Sequence, residues 1–150
     1  MAFWGALSGD TLAALPRRRA PVILIVDDDR DVRELYRACF DTSGYRTAEA
    51  ATGQQALELA RELLPDLLLT DLVLPDLDGL AIAAALKADA RTAGVRVIII
   101  TGHGTPDLPH RAWAAGAERT ILKPCLPDTM LREVRRTLRR SRAARPRLGL

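Results

Sequence analysis

Short apolar runs alternate along this chain with stretches in which apolar residues recur every three or four positions. The runs are Val22-Ile23-Leu24-Ile25-Val26, Leu67-Leu68-Leu69, Val97-Ile98-Ile99-Ile100 and the shorter Thr120-Ile121-Leu122. Each is bounded by turn-forming or charged residues and is too short for a helix, the pattern of a strand buried on both faces. Residues 45–50 read as a weaker strand. Between the runs, Val32, Leu35, Tyr36 and Cys39 repeat at helical spacing behind Asp29, a capping residue, and Gly44 follows as the terminator. Thr52-Gly53-Gln54-Gln55 is a capping-box signature for a helix to about residue 64, with Ala56, Leu59, Ala60 and Leu63 inward. Gly79 opens an alanine-rich helix to about residue 90. Thr105 followed by Pro106 predicts the start of a fourth helix that ends at Gly116. Residues 127–142 form the last, with Leu131, Val134 and Leu138 inward. Strands alternating with helices predict an α/β fold: a doubly wound, five-stranded parallel sheet with five helices.

The ends of the strands carry the chemistry. The first run ends in Asp27-Asp28-Asp29, and the Leu67 run delivers Asp71, with Pro75 and Gly79 downstream. The Val97 run ends in Thr101-Gly102 and the last in Lys123-Pro124. Parallel strands present their carboxyl ends on one rim, where open α/β sheets bind ligands. Acids, one hydroxyl and one ammonium therefore converge there. Lys123 has an argument of its own. Of 22 basic residues 20 are Arg, and only Lys87 and Lys123 are Lys. A lysine at the end of a buried strand, in a chain that writes positive charge as Arg, suggests that a compact ammonium is required.

Taken in this order and spacing, Asp27-Asp28, Asp71 with Pro75 and Gly79, Thr101, and Lys123-Pro124 resemble a bacterial response-regulator receiver domain of the CheY-like kind. The match spans about residues 21–140. The resemblance implies a flavodoxin-like sheet of order 2-1-3-4-5, with Asp71 as a nucleophile that accepts a phosphoryl group. The donor would be a histidine kinase or a histidine phosphotransfer protein. Crowded carboxylates repel one another, and Mg²⁺ relieves that repulsion with oxygen ligands. By resemblance, Asp28, Asp71 and the Val73 backbone carbonyl bind it directly and Asp27 acts through water. Lys123 and Thr101 would hold the phosphoryl oxygens. Asp29 is read as a helix cap rather than a ligand. The implied protein is a stand-alone cytoplasmic signalling protein rather than an enzyme, acting on a downstream protein through phosphorylation-controlled contact.

One position departs from the family pattern. Three residues before Lys123 the family usually carries Tyr or Phe, and this chain has Thr120. Movement of the loop beginning Gly102-His103 is therefore expected to carry the signal that the aromatic ring would carry. His103 is read as an exposed loop residue, with a direct role at the site as the alternative.

Composition adds a boundary. Hydrophobic content of 48% supports a real core, but the net charge of +3 is unevenly placed. Residues 21–131 hold 17 acids and 11 bases, net −6, whereas 1–20 carry +2 and 132–150 carry +7. The expected organisation is a disordered tail over 1–20, a receiver domain over 21–141 and a basic tail over 142–150. Residues 1–20 also allow a short amphipathic anchor, since Phe3, Trp4, Leu7, Leu12 and Leu15 precede Arg17-Arg18-Arg19. That order, apolar before basic, is not a signal peptide. No run approaches the ~20 apolar residues of a membrane span. Two isolated cysteines, Cys39 and Cys125, suggest a reducing compartment.

Arg132, Arg135, Arg136 and Arg139 follow helical spacing and form one basic stripe. It is expected to dock an acidic protein surface, with a solvated face or nucleic acid as alternatives; the acidic domain beside it weighs against nucleic acid. A haloacid-dehalogenase-like phosphohydrolase also uses an Asp nucleophile, but it needs a second Asp two residues on, where this chain has Val73.

Overall fold

A computed structural model describes residues 19–140. Strands β1 (Val22–Val26), β2 (Arg46–Ala50), β3 (Leu67–Asp71), β4 (Arg96–Thr101) and β5 (Arg119–Leu122) alternate with helices. The helices are α1 (Arg30–Thr42), α2 (Gly53–Leu63), α3 (Gly79–Ala88), α4 (Leu108–Ala115) and α5 (Pro127–Arg139). All strand pairings are parallel and the order is β2-β1-β3-β4-β5, as expected. The expected tails fall almost wholly outside the described residues, as do Arg142, Arg145 and Arg147.

The pleat explains why the central strands read as continuous apolar runs. Successive side chains leave on opposite faces, and both faces are covered. Leu24, Val26, Leu68, Val97 and Ile99 join one core cluster with α2, α3 and α4. Ile23, Ile25, Leu67, Leu69, Ile98 and Ile100 join the other, with Phe40 of α1 and Met130 and Val134 of α5. Each fully buried aliphatic side chain contributes about 1.5–3 kcal/mol by leaving water.

The helix faces depart from the sequence reading in detail. On α1 the buried residues are Tyr36 and Phe40, while Leu35 is exposed. On α2 Leu57 is buried beside Ala56 and Ala60, and Leu63 is exposed. On α5 the deepest stripe is Met130, Val134 and Thr137, with Leu131 and Leu138 packed at its flank. A helix with apolar residues on two adjoining rows can seat either one, and the larger or better-filled row is chosen by the partner surface. Helix α4 begins later than expected. Thr105 donates its hydroxyl hydrogen bond to Asp107 rather than capping the helix, and Pro109, not Pro106, lies in the first turn. Burial of Leu108 fixes where the turn tightens into helix. Helix α3 stops at Ala88 because Asp89 is extended and the Thr92 hydroxyl takes up the Leu86 carbonyl.

Two long cations tie elements together. Lys87 of α3 donates to the carbonyls of Ala93 and Val95 at 2.8 and 3.2 Å. Its stem lies over Gly116, where φ is +107° and a Cβ would come within 2.4 Å of the Lys87 Cγ. Arg96, buried at the start of β4, donates to the Thr137 carbonyl in the last turn of α5. A cation there suits the negative end of the helix.

Candidate functional site

The carboxyl ends of β1, β3, β4 and β5 place the expected residues together. Asp27 continues β1, its amide donating to the Ala50 carbonyl at 3.1 Å. It is 2% exposed. Its Oδ1 accepts the Asp29 N–H at 2.9 Å, and Arg33 donates to its carbonyl at 2.8 Å. Asp29 itself caps α1, accepting from the amides of Asp31 and Val32, so it is a cap as expected. Asp28 is exposed and Asp71, the last residue of β3, is half-buried. One carboxylate oxygen from each of Asp27, Asp28 and Asp71 lies within 4.8 Å of the others.

Lys123 reaches into this group. Its Nζ stands 3.1 Å from Asp27 Oδ2 and 3.1 Å from Asp71 Oδ2. Burial alone would lower its pKa. The hydrogen bonds to Asp27 and Asp71, and their charges, outweigh burial and leave the ammonium above its ordinary value. The Lys123–Pro124 bond is cis. Three carboxylates against one ammonium leave two net negative charges, and every donor is oxygen. That is the donor set of a hard divalent cation, so these residues fit Mg²⁺.

The remaining expected residues are placed as follows. Thr101 is fully buried at the end of β4, and its hydroxyl accepts the His103 N–H at 3.0 Å. Gly102 and His103 are exposed in the loop that follows. Val73 is exposed, its amide donating to Asp71 Oδ1 at 3.3 Å. Thr120 is half-buried on β5, opposite Ile99 of β4. It lines an open groove of about 700 Å³ with Pro109, Ala112, Leu122, Leu126 and Glu133. Arg132, Arg135, Arg136 and Arg139 are all exposed along α5, and Arg136 pairs with Glu133 at 3.6 Å.

Two residues near the site escape a sequence reading. Tyr36, legible only as an apolar helix position, has its hydroxyl pKa raised by burial first, offset by Lys123 and reinforced by Asp27. Asp76, in the loop after β3, accepts from the amides of Gly53 and Gln54 at the start of α2, both at 2.8 Å. Its partners are backbone groups more than twenty residues earlier, which no side-chain pattern announces.

Residues 23–135 match the model of the response regulator receiver domain. Among curated proteins, the DNA-binding dual master transcriptional regulator RpaA of Synechocystis is 36% identical over 121 residues, 81% of this chain and 50% of its own length. The phosphate regulon transcriptional regulatory protein PhoB of Pseudomonas aeruginosa is 34% identical over 79% of this chain and 52% of its own. The chain thus spans about half the length of these relatives. Among solved structures, a CheY-like receiver domain protein of Methanospirillum hungatei superposes with a TM-score of 0.75 at 28% identity, covering 79% of this chain and 94% of its own. A two-component response regulator of the LuxR family from Aurantimonas gives 0.74 at 30%, covering 79% and 85%.

Proposed function

Since the chain belongs to the response regulator receiver domain family of two-component systems, we propose that Asp71 is its phosphoacceptor. The donor in this reading is a phosphohistidine of a histidine kinase or phosphotransfer protein. An Asp71 carboxylate oxygen attacks phosphorus, the phosphorus–nitrogen bond of the donor breaks, and the imidazole leaves with the electron pair. Asp28, Asp71 and the Val73 carbonyl would hold Mg²⁺ directly and Asp27 would act through water, and the ion would supply positive charge to the phosphoryl oxygens. Lys123 gives up its bond to the Asp71 carboxylate and offers the same ammonium to the phosphoryl group. Thr101, which now accepts from the His103 amide, keeps its own hydroxyl proton to donate.

The observation that carries this reading is the convergence of Lys123 Nζ, 3.1 Å from both Asp27 and Asp71, with Asp28 in reach of a shared ion. A half-buried carboxylate beside a fixed ammonium and a pair of acids is arranged to attack a phosphoryl group whose negative charge the ammonium and a divalent cation would meet. The experiment is an intact mass after incubation with acetyl phosphate and Mg²⁺. A phosphate adduct is expected on the wild-type chain and not on Asp71→Asn; an adduct that persists in the variant sinks the assignment.

The proposed product is a phosphorylation-controlled contact with another protein in the cytoplasm, made by the domain over residues 21–141. Among the described residues no helix is long and apolar enough to cross a membrane. The exposed α5 stripe of Arg132, Arg135, Arg136 and Arg139 is the proposed docking face, and an acidic surface is the matching partner. A second reading, contact with nucleic acid, draws on the same stripe and on the similarity to the DNA-binding regulator RpaA. Retention on DNA that falls steeply with salt would favour it.

A further inference from the structure

The loop between β3 and α3 bears two parts of the proposed site, Asp71 at its root and Val73 two residues on. Its far end is closed locally: the Gly79 amide donates to the Leu72 carbonyl at 2.8 Å, and Asp78 caps α3 through the Ala81 amide at 2.7 Å. Its tip is held by a different element. The Asp76 carboxylate spans the first two amides of α2, Oδ1 on Gly53 and Oδ2 on Gln54, each at 2.8 Å. Those amides have no partner within the helix, and a negative charge suits the positive helix end. The same amides hold the Asp76 carboxyl below its usual range, that of Gln54 most.

Gly53 makes this seat available. A Cβ there would lie 2.7 Å from the Leu77 Cβ and 3.2 Å from Asp76 Oδ1, so any side chain would push the loop tip away. Nor does α2 need Asp76 to begin, because Thr52 already caps it by accepting from the Gln55 amide at 3.1 Å. The bridge therefore acts on the loop more than on the helix. Leu74 and Leu77 pack against the core on either side of it, so a fixed tip limits where Val73 can lie.

We propose that Asp76, seated on the N-terminus of α2, is a positioning residue for divalent-cation binding, holding the loop so that the Val73 carbonyl and the Asp71 carboxylate are presented together. The inference rests on the reading of Asp71 and Val73 as cation ligands. With the tip released, the loop samples other arrangements, and the apparent affinity falls by the fraction that remains competent.

The test is calorimetric titration of Mg²⁺ into the full chain, with thermal unfolding followed in parallel without metal. Asp76→Ala is expected to weaken Mg²⁺ binding about three- to tenfold, and Asp76→Asn by less, since its amide keeps one accepting oxygen. Gly53→Ala leaves the carboxylate intact but displaces Leu77, and is expected to weaken binding as well. Thr52→Ala is the control for mere destabilisation: it removes the cap of α2 without touching the loop, and should lower the melting temperature with little change in Mg²⁺ affinity. Wild-type affinity in Asp76→Ala, or an equal loss in Thr52→Ala, would overturn the proposal. The acceptor reading fails separately, if acetyl phosphate still modifies Asp71→Asn.

Discussion

Lys123 Nζ and Asp71 Oδ2 are 3.1 Å apart although 52 residues separate them in the chain. The sheet order makes the meeting: β4 lies between β3 and β5, and Lys123 crosses beyond its end to reach Asp71 and Asp27. An ammonium can bond two carboxylates from one point, whereas a guanidinium must lay its planar fork across them. Lys123→Arg is therefore expected to keep the fold and the Asp71 adduct but to lose the response that follows phosphorylation. Circular dichroism, intact mass and Trp113 fluorescence report the three. A variant that responds like the wild type would show that a compact charge is not needed.

Trp113 lies half-buried on α4, the helix that follows the loop carrying His103. Its fluorescence is expected to change when beryllofluoride, a phosphoryl mimic, is added with Mg²⁺. Trp4 lies outside the described residues and would add background, so Trp4→Phe belongs in the measurement. A flat signal would mean that α4 stays where it is and that the response needs an aromatic where this chain has Thr120.

Arg135→Ala with Arg139→Ala removes two charges from the exposed stripe of α5. Partners captured from lysate in the presence of beryllofluoride are expected to survive nuclease and to be lost in the double variant. Charge-driven docking should also weaken with ionic strength. Loss of all binding after nuclease treatment would transfer the stripe to the nucleic-acid reading, and identical capture by both proteins would leave it a solvated face.

Arg96 is a stability determinant rather than a site residue. Only 9% exposed, it donates to the Thr137 carbonyl and so pins the end of α5 to β4. Arg96→Met keeps the apolar stem and removes the charged donor, leaving the Thr137 carbonyl only the longer bond from the Arg140 amide at 3.3 Å. The expected cost is about 1–3 kcal/mol in denaturant unfolding. A change below a few tenths would mean that the Arg140 amide is enough for this carbonyl.

Acid should loosen the loop tip. Asp76 has a depressed pKa, because the Gln54 and Gly53 amides favour its charged form. A group depressed on folding contributes stability above its unfolded pKa, and that contribution is lost as pH falls through the folded value. Stability in the wild type should therefore decline on the acid side of the ordinary carboxylate range, and Asp76→Asn should flatten part of that decline. Superimposable acid limbs for the two proteins would show the bridge to be energetically silent.

The parts of this molecule that could be read from sequence are those where one residue's neighbours along the chain decide its fate. Strands β1, β3 and β4 are buried on both faces, so their central positions form continuous apolar runs and no periodicity has to be guessed. Asp27, Asp28, Asp71 and Lys123 were legible because they terminate such runs. The helix faces were not, since Leu35 and Leu57 are equally apolar and only the surface beneath decides that one is exposed and the other buried. Asp76 and Arg96 were hidden for a different reason: each bonds backbone of a distant element, and every residue has the same backbone.

Lys87 across Gly116 has a mechanical consequence. The end of α4 at Gly116 is stapled beneath a side chain whose ammonium is itself anchored to the 93–95 turn, whereas the end at Leu108 follows a loop of exposed residues. Any displacement of α4 therefore has a fulcrum, and the helix tilts about Gly116 instead of sliding along the sheet. Amide exchange measured with and without beryllofluoride would register this as a gradient, largest near Leu108 and fading toward Ala115; a uniform change along the helix would mean that it slides as a rigid rod.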